Sequence, residues 1–130
     1  GAKVMKAARV KDAASVRELR AYRRVDLHML DAYTADKLGG TGKAFDWSLA
    51  EGHAGPPLVL SGGLTPVNVE AGIRALHPFA VDTASGTDSE PGVKDEAKVR
   101  DFFEAVERAR PEEPAEPAEP KEEAADEVEA

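Results

Sequence analysis

Apolar positions follow two alternating periods along the chain. Residues 4–10 read as a short strand, and Asp12 is placed to cap a helix over residues 12–22 whose Val16 and Leu19 share one face. Residues 25–30 form a second strand that ends at Asp31. A long glycine-rich loop follows, then a helix around residues 46–49. Residues 57–60 make a third strand, bounded by Ser61-Gly62-Gly63. Thr65 is positioned to cap a helix that starts with Pro66 and continues through Val69, Ile73 and Leu76 at helical spacing. Residues 78–82 are the fourth strand, and residues 95–107 the last helix, with Val99, Phe102, Phe103 and Val106 on one side.

Strand and helix alternate four times, which calls for parallel strands joined by helical crossovers. The class is therefore α/β, as an open doubly wound sheet or as part of a (βα)8 barrel. A complete barrel takes about 250 residues, so four units within residues 1–108 are expected to be half of one. Residues 109–130 repeat Glu, Pro and Ala, carry Val128 as their one large aliphatic residue, and are expected to be disordered, as a solvating appendage rather than an interaction tail. The chain begins with Gly inside a predicted strand, which suggests an incomplete polypeptide.

Charge alters this picture once it is divided. The net charge of −8 resides entirely in residues 111–130, and residues 1–110 are neutral. A neutral body lacks the basic face that nucleic-acid binding needs. There is no cysteine, hence no disulfide, thiolate metal site or cysteine nucleophile within this stretch. No apolar run approaches the roughly 20 residues of a membrane helix, and no signal peptide is visible.

The candidate chemistry lies at the carboxyl ends of the predicted strands, where both architectures bind ligands. Gly62-Gly63 precede a helix N-terminus, where unobstructed amides and the positive dipole end favour an anion. Ser85-Gly86 add a hydroxyl and another open amide, and residues 86–91 could form the short extra helix common at barrel phosphate sites. Two such clusters after consecutive strands favour phosphate over glycines that merely serve tight turns. Asp31 is either a general acid or base, or an aspartate that orders its loop. Residues 37–43 invite a P-loop reading, but Ala44 follows Lys43 where Ser or Thr is required, which leaves a loop that closes over a substrate. His28, His53 and His77 show no metal-ligand spacing, and Phe45 and Trp47 are expected to pack.

Four runs, in order, resemble the phosphoribosylanthranilate isomerases: Asp31 with Asp36-Lys37-Leu38-Gly39-Gly40-Thr41-Gly42-Lys43-Ala44-Phe45-Asp46-Trp47; Leu60-Ser61-Gly62-Gly63-Leu64-Thr65-Pro66 with Asn68-Val69; Val81-Asp82 with Ser85-Gly86; and Pro91-Gly92-Val93-Lys94-Asp95. The resemblance covers residues 3–108. It implies a (βα)8 barrel of which this chain supplies strands five to eight. The family performs an Amadori rearrangement of N-(5-phosphoribosyl)anthranilate in tryptophan synthesis, in the cytoplasm, without metal or organic cofactor. Asp31 matches the family's general acid; Gly62, Gly63, Ser85 and Gly86 match its phosphate cradle; Asp82 matches a residue near the substrate's sugar; and Gly40, Thr41 and Gly42 match the loop over the site. The family's base is a cysteine on strand one, which this sequence lacks together with the arginine that faces the anthranilate carboxylate. Thr87-Asp88 stand where Val-Glu is usual, and Val67 where Glu is often found.

The reading that follows is an isomerase half, inactive alone, whose partner is an N-terminal half-barrel of roughly 90–100 residues. The competing reading is a non-catalytic phosphate-binding half-barrel that assembles through open strand edges near residues 4–10 and 79–82. A sugar-phosphate enzyme of another barrel family would require the four collinear runs to be coincidence.

Overall fold

The computed structural model describes residues 1–32 and 47–111, so the glycine-rich loop, with Gly40, Thr41 and Gly42, and residues 112–130 lie outside the described residues. Four strands form one parallel sheet in sequential order: β1 (Met5–Arg9), β2 (Leu27–Asp31), β3 (Leu58–Ser61) and β4 (Ala80–Val81). Sequential order without reversal is the winding of a barrel; a doubly wound sheet reverses at a switch point. Three helices accompany the strands: α1 (Ala13–Arg20), α2 (Val69–Leu76) and α3 (Glu96–Ala109).

Strand register separates the two faces of the sheet. Ala8, Leu30, Leu60 and Val81 align across the strands and join the core with Val16 and Leu19 of α1, Val69 of α2, and Phe102 and Ala105 of α3. The opposite face carries Ala7, Met29, Val59 and Ala80 in register; none of these joins that cluster, although Val59 is itself buried. β1 and β4 are the edge strands of this sheet, where the sequence placed them.

Several boundaries differ from the sequence reading. Asp12 does cap α1, accepting from the Ser15 amide at 3.0 Å. The element after the loop is a single 3-10 turn at Trp47–Ala50, stopped by Gly52 at φ 74°. Thr65 and Pro66 open a turn, but the regular helix starts at Val69, because Asn68 reaches back: its Oδ1 accepts from the Thr65 amide at 2.8 Å and its Nδ2 donates to the Gly63 carbonyl at 3.0 Å. The short turn expected over residues 86–91 is confined to the start of that span. A 3-10 turn at Ser85–Thr87 leads into a hairpin of β5 (Asp88–Glu90) and β6 (Val93–Lys94). Phe103 is 67% exposed, off the face of α3 that buries Phe102.

His28 is fully buried on β2, on the helix-covered face. Its Nε2–H donates to the Tyr22 carbonyl at 2.7 Å, and its Nδ1 shares a hydrogen bond of 3.0 Å with Nε2 of His53. Burial, then the neighbouring His28 and Arg20, hold His53 below its ordinary value of 6.5. Protonation thus favours the unfolded chain: the stability is present above 6.5 and is lost as pH falls toward the depressed value. Thermal melts between pH 7.5 and 5 are expected to show a falling Tm below about pH 6.5, and His53→Gln is expected to flatten that slope. Parallel slopes in the two proteins would refute the assignment.

Candidate active site

Asp31, Ser61 and Asp82 stand in a row at the carboxyl end of the sheet. Register pairs Arg9 with Asp31 and Asp31 with Ser61. The Asp82 amide donates to Leu60 O at 2.9 Å, which continues β4 alongside β3. The Ser61 hydroxyl donates to Asp82 Oδ2 at 2.9 Å, fixing that carboxylate beside the next strand.

Two loops complete the wall. Gly62 and Gly63 take φ of 86° and 68°, consecutive left-handed positions that glycine adopts without penalty. They fold the chain sharply after β3. The loop after β4 is fastened to them, since the Thr83 hydroxyl donates to Leu64 O at 2.7 Å. Gly86 lies directly against the same carbonyl: a Cβ there would sit 1.8 Å from Leu64 O. The closeness of these two segments makes glycine obligatory at position 86.

A hollow of about 220 Å³ is lined by Asp31, Ser61, Gly62, Gly63, Leu64, Asp82, Thr83, Ala84, Ser85 and Gly86. Every candidate residue within the described part of the chain is brought to this one place. Larger hollows exist, about 540 Å³ beside β1 and α1 and about 510 Å³ near Asp26 and Pro57. The second of these is at the amino ends of β2 and β3, away from the end where barrels carry their chemistry.

The expected donors change in one respect. The amides of Thr65 and Val67 bond to Asn68 Oδ1 and Thr65 Oγ1, and those of Asn68 and Val69 to Thr65 O. The first turn leading into α2 therefore satisfies itself, and an anion would meet the glycine loop before it rather than the helix end. The Ser85–Thr87 turn differs: Thr87 N bonds to Ala84 O, whereas the opening amides of a helical turn have no partner inside it.

Behind that turn, Lys94 Nζ contacts Ala84 O at 2.6 Å, Thr87 Oγ1 at 3.2 Å and Asp88 Oδ1 at 2.6 Å. The Lys94 hydrogen bond holds the Asp88 carboxyl below the usual carboxylate range, against a smaller opposing effect of burial. Sequence reasoning assigned no role to Ser61, Thr83 or Lys94. Their partners lie 21, 19 and up to 10 residues away, which no local period reveals. Among the described residues, no group of three or more His, Cys, Asp or Glu could hold a metal ion. None of their helices is long and apolar enough to cross a membrane.

Residues 1–105 match the family model of N-(5'phosphoribosyl)anthranilate (PRA) isomerase. N-(5'-phosphoribosyl)anthranilate isomerase of Moorella thermoacetica is 49% identical over 109 residues, which cover 82% of this chain and 48% of the relative. Phosphoribosyl anthranilate isomerase of Thermotoga maritima superposes with a TM-score of 0.72 at 38% identity, over 82% of this chain and 52% of that one. A phosphoribosyl anthranilate isomerase in complex with reduced 1-(o-carboxyphenylamino)-1-deoxyribulose 5-phosphate superposes with a TM-score of 0.67 at 33% identity, over 82% and 49%. The chain spans about half the length of the curated relatives it matches.

Proposed function

This chain belongs to the N-(5'-phosphoribosyl)anthranilate isomerase family, and on that premise we propose that its strand ends form the acid-and-phosphate half of an isomerase site. The supporting observation is the single hollow that gathers Asp31, Asp82 and the four cradle residues Gly62, Gly63, Ser85 and Gly86. In this reading the substrate is N-(5-phosphoribosyl)anthranilate, and its phosphate rests between the two glycine loops. Asp31 gives a proton to the ribose ring oxygen. The ring C–O bond breaks as the anthranilate nitrogen forms an iminium, and a base then removes the proton from the neighbouring sugar carbon. The electrons of that C–H bond give the enol form of the aminoketose product. Asp82 faces the sugar, held by Ser61. The loop that contains Gly40, Thr41 and Gly42 closes the site.

The base is the missing part. The family's cysteine has no counterpart in a sequence without cysteine. On the face with Ala7, Met29, Val59 and Ala80, Val59 is buried but Ala7 is exposed and Met29 and Ala80 are only partly buried, whereas a barrel interior fills with packed layers. A hollow of about 220 Å³ is also smaller than the ~300–1,000 Å³ of whole small-ligand sites. These observations support a (βα)8 barrel in which residues 1–108 supply strands five to eight. A complementary N-terminal half would cover the open face and bring the base. The chain alone is then inactive, and the assembled enzyme works in the cytoplasm without a cofactor. The tail, residues 109–130, takes no part in the chemistry.

Titration of the 130-residue chain with reduced 1-(o-carboxyphenylamino)-1-deoxyribulose 5-phosphate tests the site. Saturable shifts are expected at the amides of Gly62, Gly63, Ser85 and Gly86. Shifts confined to the amino ends of the strands would reject it.

The alternative, a phosphate-binding half-barrel that self-assembles through β1 and β4, predicts concentration-dependent oligomers. Sedimentation that yields a monomer at all concentrations would count against it.

A further inference from the structure

The Lys94 ammonium carries three N–H donors, and three acceptors on the preceding loop engage them: Ala84 O at 2.6 Å, Thr87 Oγ1 at 3.2 Å and Asp88 Oδ1 at 2.6 Å. A lysine close to a phosphate loop is ordinarily taken for a phosphate ligand. Here Lys94 does not line the hollow formed by Ser85 and Gly86, and its donors are committed to the backbone and side chains that shape it. We propose that Lys94 is a positioning residue: it fixes the Ser85–Thr87 turn so that the Ser85 and Gly86 amides converge on the anion, and it does not contact the anion itself.

The surrounding bonds show why one side chain can govern the turn. Thr87 is nearly inaccessible, and its hydroxyl, while accepting from Lys94, donates to Ala84 O at 3.2 Å. The Asp95 amide donates to Thr87 O at 2.8 Å, and Lys98 Nζ donates to Asp88 O at 2.8 Å. Asp88 Oδ2 takes the Gly92 amide at 3.2 Å, closing the hairpin over which Lys94 reaches. The turn is thus tied to β6 and to the start of α3, the longest helix among the described residues. Lys94 is the tie that reaches both ends of the turn, from Ala84 to Asp88. Its own side chain is more than half exposed, so a bare ion pair there would contribute little; the three acceptors together hold the turn.

This inference rests on the phosphate reading of the site, and the test separates the two. Inorganic phosphate is titrated into the full 130-residue chain, wild type and variant, with amide shifts as the readout. Lys94→Met is expected to displace the amides of residues 84–88 before any phosphate is added, leave those of β1 to β3 in place, and weaken phosphate by about 10-fold, as loss of an outer support typically does. Lys94→Arg keeps the charge but presents a planar fork in place of a tripod, and is expected not to restore affinity. Thr87→Val, which removes one acceptor, is expected to shift the same amides by less. Wild-type affinity in Lys94→Arg, or lost binding with unmoved free-state amides in Lys94→Met, would make Lys94 a direct ligand and overturn the proposal. Failure of the wild type to bind phosphate would sink the phosphate reading alone. The free-state shifts of residues 84–88 would then still decide whether Lys94 positions the turn, and unmoved amides would refute it.

Discussion

Replacing Asp31 with Asn is expected to lower isomerisation by about 10²- to 10⁴-fold in enzyme reconstituted with an N-terminal half from a relative, the usual range for a positioned proton donor. Asn keeps the shape and can still donate a hydrogen bond, but it cannot release a proton to the ring oxygen. Binding of the reduced deoxyribulose phosphate should stay within a few-fold of wild type, because the cradle of Gly62, Gly63, Ser85 and Gly86 is untouched. The loss therefore belongs in kcat. Single-turnover rates separate this from a binding defect. Near-normal kcat in Asp31→Asn would mean that Asp31 merely orders its loop.

The second large effect is expected at Gly86. A methyl group there would lie 1.8 Å from Leu64 O and 2.9 Å from Thr83 Oγ1. Backbone cannot retreat as a side-chain tip can, so the loop after β4 must pull away from the loop after β3 and break the Thr83–Leu64 hydrogen bond. Gly86→Ala is expected to cost about 3 kcal/mol, at the upper end for an overpacked site, and to abolish measurable phosphate binding. Denaturant melts and phosphate titration check both parts. Gly63→Ala offers a contrast. No atom lies within 4 Å of its would-be Cβ, and only its φ of 68° opposes the change, at about 1–2 kcal/mol. If the two variants proved equally mild, the contact between the loops would be looser than described.

Periodicity carried the architecture a long way. Helical spacing marks Val16 and Leu19 on α1 as core, because apolar spacing reports burial directly. The strand ends were legible for the same reason: a polar residue after an apolar run must sit where the sheet meets solvent or ligand. What escaped was set by partners distant in sequence. Asn68 delays α2 by bonding back to Thr65 and Gly63. The span 88–94 pairs as a hairpin, with Lys94 drawn onto Asp88. His28 shows no partner in its own strand's spacing, yet its ring bonds Tyr22 and His53 on two separate loops. The roles of Asp31 and Asp82 came from resemblance; spacing alone left Asp31 open between acid and loop aspartate.

Thr87-Asp88, which stand where the family usually has Val-Glu, are the two residues whose side chains accept from Lys94. Neither faces the hollow.

The central claim is that the acid and phosphate groups are present here and the base is not. The most direct test is an isomerase assay of the purified 130-residue chain, alone and mixed with the N-terminal half of a relative that carries the base. The account predicts no turnover above background from the chain alone and restored turnover in the mixture, abolished by Asp31→Asn. Robust isomerisation by the chain alone would contradict it.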